Sequence, residues 1–262
     1  NNIGPKKIDY LLDYYGSSEE VYKASDDSIN EAIKLAMKEG IVRFSKKDAD
    51  NIRDYKNPER IYMEYNVLLE KGIKFITKLD EEYPKKLRPL YNGPFSLYIK
   101  GKLPHIERKI LAIVGTRNAS AYGMELTKYF SQSLAASGVG IISGLARGID
   151  TCAHKGALEV SGLTYGVLGC GIDICYPREN IDIYMEMQNH GAVISEYPPG
   201  EKPYASNFPM RNRIISGLSD GILVIEAKEK SGSLITVDMG LEQGKDIYAI
   251  PGRITDALSI GC

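Results

Sequence analysis

The 262-residue sequence has no tryptophan, three histidines and four cysteines, and its positive and negative charges nearly cancel. The cysteines, Cys152, Cys170, Cys175 and Cys262, form no CxxC pair, and no histidine stands near them at the spacing of a zinc site. We therefore expect reduced thiols and no metal. A net charge of -1 excludes a protein that coats nucleic acid through overall basicity, so an anion site must come from local clustering.

The sequence also lacks any apolar run near the roughly 20 residues that a membrane helix needs, and it has no basic-then-apolar leader. We expect a cytoplasmic protein without membrane contact. Because the chain begins at Asn1 without methionine and stops at Cys262, directly after a predicted strand and turn, we expect both ends to be trimmed. The 43% hydrophobic content is enough for one large core and a small appendage.

The first 57 residues are polar, with apolar side chains at helical spacing, and predict a small all-helical domain at 1–57. Ile3 to Lys7 resembles the second half of a helix-hairpin-helix, so we expect a SAM/helix-hairpin-helix-like domain. We favour a structural or partner-binding role for it over DNA binding. Pro58 suits a helix start, Gly72 suits a helix end, and the remaining domain is predicted at 58–262.

From Lys109 onward, short apolar runs alternate with glycine-containing turns and helical patterns. Runs without polar interruption, such as Gly221 to Ile225, indicate strands covered on both faces. The pattern predicts a doubly wound α/β domain with a mostly parallel sheet. The predicted strands lie near 110–115, 139–143, 164–168, 192–195, 221–226 and 246–250.

Polar residues follow several of these strands directly. Thr116 and Arg117 come after the first, and Ser143 to Arg147 after the second. Open parallel sheets bind ligands beyond the carboxyl ends of their strands, and glycine turns before helices present backbone N–H groups to anions. Each turn alone is also explained by a helix cap or a tight turn. Together they predict a phosphate-binding site.

Arginines near these turns make the prediction of a phosphate-binding site more specific. Arg117 directly follows a buried strand, which fixes the base of a guanidinium suited to phosphate oxygens, although a surface salt bridge is the alternative. Arg211 and Arg213 are expected at the entrance of a helix, where they either clamp a backbone or pair with Glu196 and Asp220. Phe208 beside them offers a face on which a base can stack, or a buried plug.

Asp150 and His154 stand one helical turn apart, which would let a carboxylate and an imidazole meet. No serine or cysteine nucleophile accompanies them, and we favour a helix cap and a packed histidine. Gly169-Cys170-Gly171 lacks the third glycine of a dinucleotide motif. We therefore expect neither a catalytic residue nor a cofactor.

The ordered motifs closely resemble the DNA-processing protein A (DprA/Smf) family over nearly the whole chain. The family usually has serine at the position of Thr116, and it continues beyond the position of Cys262, often into a winged-helix module. The strings that carry the resemblance are Ala112 to Arg117, Ser143 to Asp150, Val167 to Asp173, Ser195 to Gly200, Phe208 to Ser219, Ser231 to Leu234 and Ala249 to Gly252.

The resemblance implies an extended Rossmann-like domain that binds single-stranded DNA in a basic pocket, without catalysis. It also implies a homodimer that displaces single-strand-binding protein and loads the RecA recombinase during natural transformation. Carried over by position, the DNA-binding residues would be Arg117, Ser143, Gly144, Arg147, Lys202, Phe208, Arg211, Arg213, Ser231, Gly232 and Ser233.

Two alternatives remain at this point. Rossmann-type nucleotide hydrolases that act on nucleoside monophosphates use similar glycine turns, and Glu226 would then be the acid or base. The chain lacks their proline-glycine-glycine-x-glycine-threonine signature. A RecA-binding scaffold with a vestigial cleft is the other alternative, and it predicts that Arg117→Ala leaves strand binding intact.

Overall fold

The computed structural model describes residues 3–105, 107–252, 256 and 258–262. By their internal contacts, these residues divide into two compact units, of which one ends at Gly72 and the other begins at Ile73. This division places one more helix in the first unit than the boundary expected after Asn57. The domain limits at 57 and 58 stay a prediction.

The first unit is helical. Serine side chains cap the second, third and fourth helices, and the fourth begins with a capping box in which Ser45 and Asp48 bond each other's backbone N–H. Buried apolar side chains such as Leu11, Ile29 and Phe44 form its core. The helices are α1 (Pro5–Tyr15), α2 (Ser18–Lys23), α3 (Asp26–Lys38), α4 (Lys46–Asp54) and α5 (Pro58–Glu70).

The second unit alternates strands and helices as predicted. Its strands are β1 (Lys74–Thr77), β2 (Ser96–Gly101), β3 (Ile110–Val114), β4 (Gly140–Ser143), β5 (Thr164–Leu168), β6 (Gly191–Ser195), β7 (Gly221–Val224) and β8 (Asp246–Ala249). Its helices are α6 (Ala121–Ala136), α7 (Ile149–Glu159), α8 (Ile181–Glu186), α9 (Asn207–Leu218) and α10 (Gly232–Glu242), with 3-10 turns at Lys85–Leu87 and Arg178–Asn180.

The eight strands form one sheet in the order β1-β2-β6-β5-β4-β3-β7-β8. Strands β3 to β8 are parallel to one another. Strand β2 runs antiparallel to β6, with Tyr98 opposite Ser195, and β1 runs antiparallel to β2. Each of the six strands predicted after Lys109 is present. Strand β2 follows Pro94 and was not among the predicted strands.

Helices cover both faces of the sheet, as the uninterrupted apolar strands require. On one face, Ile113, Ile141 and Leu223 pack with side chains of α6 and α7. On the other, Ala112, Ile142 and Ile222 pack with side chains of α9 and α10. The predicted fold class, a doubly wound, mostly parallel sheet with a small helical unit, is confirmed. Among the described residues, no helix is both long and apolar enough to cross a membrane.

Candidate functional site

The order of the parallel strands reverses between β3 and β7. From β3 the chain moves outward through β4, β5 and β6, and it then returns to the other side of β3 for β7 and β8. The loops after β3 and β7 therefore leave in opposite directions and open a crevice at what we call the carboxyl end of the sheet. Thr116 N donates to the carbonyl of Glu226 at 2.8 Å, which joins the two loops at this point.

An exposed cation and two aromatic rings lie at the carboxyl end, and we call Arg117, Tyr176 and Phe208 the aromatic platform. The Arg117 guanidinium stands 5.9 Å from the centre of the Phe208 ring. The Tyr176 ring, 47% exposed, lies 5.6 Å from that of Phe208 at a tilt of 40°. A flat aromatic face beside a fixed guanidinium is suited to a stacked base and its phosphate.

The loop after β4 is held from within the protein. Ser143 is fully buried, and its Oγ donates to the carbonyl of Ile113 at 2.6 Å. Asp150, the second residue of α7, accepts through Oδ2 from the N–H groups of Gly144 at 3.1 Å and Ala146 at 3.4 Å. The favoured interpretation of Asp150 as a helix cap is wrong, since Gly148 occupies the cap position and Asp150 holds the preceding loop instead. Ser143 offers no surface to a ligand.

Arg211 lies beneath this loop. It is 4% exposed, and Nη1 donates to the carbonyls of Gly144, at 2.6 Å, and Val167. Burial raises the pKa of Asp150 and lowers the pKa of Arg211, and in each case the opposite charge of the other residue counteracts the shift. The two buried groups carry opposite charges that stabilise each other, without a direct ion pair between them.

Arg213 is also buried, at 7% exposure, and Nη2 donates to both oxygens of Glu196 at 2.9 and 2.7 Å. The expectation that Arg211 and Arg213 stand before a helix is wrong, since α9 begins at Asn207 and includes them. Pro209 lies in the first helical turn, where its missing N–H would have no partner in any case. Of the two acids considered as partners, only Glu196 pairs with one of these arginines among the described residues.

The other predicted cations are exposed. Arg147 donates from Nε and Nη2 to the carboxylate of Glu179 at 2.6 and 3.0 Å, in a pair that is open to solvent. Lys202 is exposed on the loop before α9. Surface pairs of this kind contribute little to stability and separate readily. Arg147 therefore remains available to an anion that competes with Glu179.

The predicted turn before α10 is a helix start. The Ser231 side chain accepts from Ser233 N at 3.4 Å, and the Oγ atoms of the two serines lie 2.7 Å apart. Asn212 Nδ2, from α9, donates to the carbonyl of Gly232 at 3.3 Å. The turn lies in the loop that follows β7, on one side of the crevice.

Glu226 is buried at the start of α6. Its carboxylate accepts from Ser120 N at 2.9 Å and from Ser120 Oγ, while Ser120 Oγ itself caps the helix by accepting from Gly123 N. An acid at a helix N-terminus is favourable because it meets unpaired N–H groups and the positive end of the helix dipole. These contacts indicate a structural role for Glu226.

His154 is a packed histidine, as favoured from the sequence. It is fully buried, and Nδ1 lies 2.7 Å from Thr164 Oγ1 at the start of β5. Burial, together with the charge of Arg211, lowers the pKa of His154 to about 3. Among the described residues, no group of three or more histidine, cysteine or acidic side chains is arranged to hold a metal ion, and the four cysteines are free thiols.

A cavity of about 490 Å³ opens at the other end of the sheet, among residues that include Lys85, Lys102, Leu103 and Ile110. It lies where β3 begins, away from the crevice between the loops of β3 and β7. We take the carboxyl end as the candidate site, because the glycine turns, the strand reversal and the aromatic platform meet there. Sequence reasoning missed Tyr176 and Glu179 as residues of this end.

The chain is similar to known proteins over most of its length. The family model for DNA recombination-mediator protein A matches residues 74–262. The DNA processing protein DprA of Bacillus subtilis is 42% identical over 193 residues, which cover 73% of this chain and 65% of the relative. DprA of Streptococcus pneumoniae is 46% identical over 184 residues, which cover 70% and 65%. The chain thus spans about two thirds of the length of these relatives.

Solved structures give the same result. The X-ray structure of DprA from Streptococcus pneumoniae has a TM-score of 0.70 at 35% identity and covers 100% of this chain and 92% of that one. A DprA structure from Helicobacter pylori, described as showing a unique single-stranded DNA binding mode, has a TM-score of 0.64 at 29% identity. It covers 71% of this chain and 83% of that one.

Proposed function

Since this chain belongs to the DNA recombination-mediator protein A family, we propose that it binds single-stranded DNA at the carboxyl end of its sheet. The aromatic platform is the observation that carries the proposal. Stacking on Phe208 and Tyr176 accepts any base, and the neighbouring guanidinium of Arg117 accepts the backbone phosphate. The binding is therefore independent of sequence.

The predicted contacts divide into two groups. We propose that the strand meets Arg117, Arg147, Lys202, Phe208 and the turn from Ser231 to Ser233, which lie at or near the surface. A second group supports the loops of the site from within, because its members are buried. This group consists of Ser143, Gly144, Arg211 and Arg213. The site thus has an outer layer of contacts and an inner layer of support.

The proposed role in the cell is that of a recombination mediator in the cytoplasm. We propose that the full-length protein forms a homodimer, protects incoming single strands during natural transformation, displaces single-strand-binding protein and loads the RecA recombinase. These steps are what the family resemblance implies. The chemistry required is binding alone, so we propose no catalytic residue and no cofactor.

A nucleotide hydrolase is the competing function. It would need Glu226 as an acid or base, but the carboxylate is 3% exposed and engaged with Ser120 at the start of α6. Incubation with nucleoside monophosphates, followed by analysis of released base, separates the two functions. We expect no release above the rate without protein.

A titration of labelled oligonucleotide at several salt concentrations tests strand binding. Single strands lose about 0.7 log units of affinity per phosphate contact for each tenfold rise in salt, so about four contacts predict a slope near -3. Arg117→Ala should reduce that slope by about 0.7. Arg88→Ala, which removes an exposed arginine that donates to the Asp80 carbonyl, is the matched control and should leave the slope unchanged.

A slope near zero, or equal affinity for blunt duplex, would refute the proposal. An Arg117→Ala protein that binds like the wild type would favour the scaffold with a vestigial cleft.

A further inference from the structure

Both backbone groups of Gly144 are held by one buried pair of charges. Its N–H donates to Asp150 Oδ2 at 3.1 Å, and its carbonyl accepts from Arg211 Nη1 at 2.6 Å. Asp150 is 8% exposed and Arg211 4% exposed, so water does not compete for these bonds. The peptide groups on both sides of Gly144 are therefore fixed in orientation by side chains from α7 and α9.

Gly144 is needed for this arrangement. A Cβ at this position would collide with the Arg211 guanidinium, which packs against the open side of the glycine. The loop therefore covers the guanidinium rather than leaving it open to the crevice. A phosphate that lies on the loop meets backbone and surface side chains before it meets Arg211.

Arg211 also connects this loop to the aromatic platform. Its guanidinium carbon lies 5.9 Å from the centre of the Phe208 ring, and Arg117 lies at the same distance from that ring. Phe208 and Arg211 are one turn apart on α9, and Nη1 of Arg211 also donates to the carbonyl of Val167 near the end of β5. One side chain thus contacts the loop after β4, the end of β5 and the platform.

We propose that Asp150 and Arg211 are positioning residues, a buried pair that sets the loop at Gly144 and the Phe208 ring for the strand while neither touches a phosphate. This inference rests on the proposed function. The competing interpretation of the string from Arg211 to Arg213 is that Arg211 itself contacts a phosphate. The two differ in the sign of an expected effect.

The substitution Asp150→Asn distinguishes the two interpretations, because they predict different changes in strand affinity. The substitution removes a negative charge close to an anion site, so if Arg211 contacts phosphate, the strand should bind equally well or more tightly. If the pair positions the loop, the neutral amide leaves the N–H groups of Gly144 and Ala146 without their charged acceptor. We then expect affinity about tenfold weaker, from the loss of a charge-assisted hydrogen bond.

Arg211→Lys and the salt slope supply a second discrimination. Lysine keeps the charge, but its differently shaped side chain does not place a nitrogen where Arg211 Nη1 donates to both carbonyls, so positioning predicts a loss as in Asp150→Asn. A direct contact predicts that lysine largely preserves binding. For Arg211→Met, positioning predicts weaker binding at an unchanged slope, whereas loss of a direct contact lowers the slope by about 0.7.

The experiment measures oligonucleotide affinity across salt concentrations for the wild type, Asp150→Asn, Arg211→Lys, Arg211→Met and Arg117→Ala. Asp238→Asn is the control, because it makes the same charge change on the exposed part of α10. Amide hydrogen exchange of the unliganded proteins is measured in parallel. Positioning predicts faster exchange at Gly144 and Ala146 in Asp150→Asn, with the sheet strands still protected.

Weaker binding by Asp150→Asn, with faster loop exchange and the wild-type salt slope, supports the inference. Equal or tighter binding, or unchanged exchange at Gly144, overturns it, and strand binding that still depends on Arg117 would leave the proposed function standing. A wild-type protein that does not bind the strand overturns both.

Discussion

The two ends of the parallel sheet use their charges differently. At the amino end, Asp220 Oδ2 accepts from Lys86 Nζ and from Ile110 N, each at 2.8 Å, so a carboxylate joins three segments of the chain. At the carboxyl end, Arg117 and Lys202 are exposed, and neither forms an ion pair with any residue that the structure describes.

The difference shows which cations are free to bind. Asp220 at the amino end is matched by lysines and holds the fold, whereas the carboxyl end keeps exposed cations above a layer of internally matched ones. Arg213, paired with Glu196, and Arg211, beside Asp150, belong to that inner layer. A basic residue near a ligand site is therefore a ligand contact only if its charge is not already matched by a partner in the protein interior.

The largest effect that we expect is a loss of stability at low pH caused by His154, which contacts Thr164 at the amino end of β5. Folded His154 stays neutral because its pKa is about 3, while the unfolded chain takes up a proton near the ordinary value of 6.5. The unfolded state thus binds more protons, and stability is lost as pH falls below 6.5, by about 2 kcal/mol at pH 5. Urea unfolding at pH 7 and pH 5 measures it.

His154→Gln should remove this pH dependence, whereas His105→Gln, at an exposed loop histidine, should keep it. Strand binding by folded protein should not change in either variant. A wild-type protein that is equally stable at both pH values would contradict the buried, neutral state of His154.

The next effect is the loss of the carboxylate at the amino end. Asp220→Ala should lower the free energy of unfolding by about 1.5 kcal/mol, because it leaves the Ile110 amide and Lys86 without their acceptor. Burial favours a higher pKa for Asp220, but Lys86, the Ile110 N–H and Lys109 together lower it. The deficit should therefore shrink as pH falls through that lowered pKa.

Denaturant unfolding of Asp220→Ala, with the exposed Asp246→Ala as control, tests this expectation. Oligonucleotide affinity should match that of the wild type. A large change in affinity with unchanged stability would reverse the roles assigned to the two ends of the sheet.

A smaller effect is expected on the aromatic platform. Phe208→Ala removes a stacking face, and affinity for the strand should fall about fivefold, or about 1 kcal/mol, with the salt slope unchanged. Fluorescence anisotropy of a labelled oligonucleotide measures both quantities. Phe75→Ala makes the same change on β1, where the ring packs on Tyr98, and should not weaken binding.

The smallest effect tests the surface pair. Glu179→Gln releases Arg147 from its acid, and strand affinity should rise about twofold at low salt, since an exposed pair is weak and easily replaced. Glu186→Gln, on the exposed part of α8, is the control for the charge change. Weaker binding by Glu179→Gln would mean that the pair orients Arg147 for its contact.

Much of the fold follows from the sequence because the parallel strands are buried on both faces. Gly221–Val224 and its neighbours have no polar residue between apolar ones, and only a covered sheet explains that pattern. Strand β2 escaped prediction because Gly93 and Pro94 precede it and indicate an extended segment. Its pairing with β6 is a tertiary event that local pattern does not encode.

The residues of the candidate site could be brought together from the sequence, but the burial of each could not. Glycine turns at strand ends located the site, and the basic string around Arg211 indicated an anion. Whether an arginine points inward depends on its place on the helix, and we expected Arg211 and Arg213 at the helix entrance. Both lie within α9, which begins at Asn207, and both are buried.

The antiparallel insertion of β2 has a consequence for biosynthesis. Tyr98 pairs with Ser195, so β2 leaves the ribosome about a hundred residues before the strand that receives it. Contacts so distant in sequence form late, because closing the intervening loop costs chain entropy. We expect nascent chains that end before β6 to remain open to protease at β1 and β2, and to become resistant there once β6 has emerged.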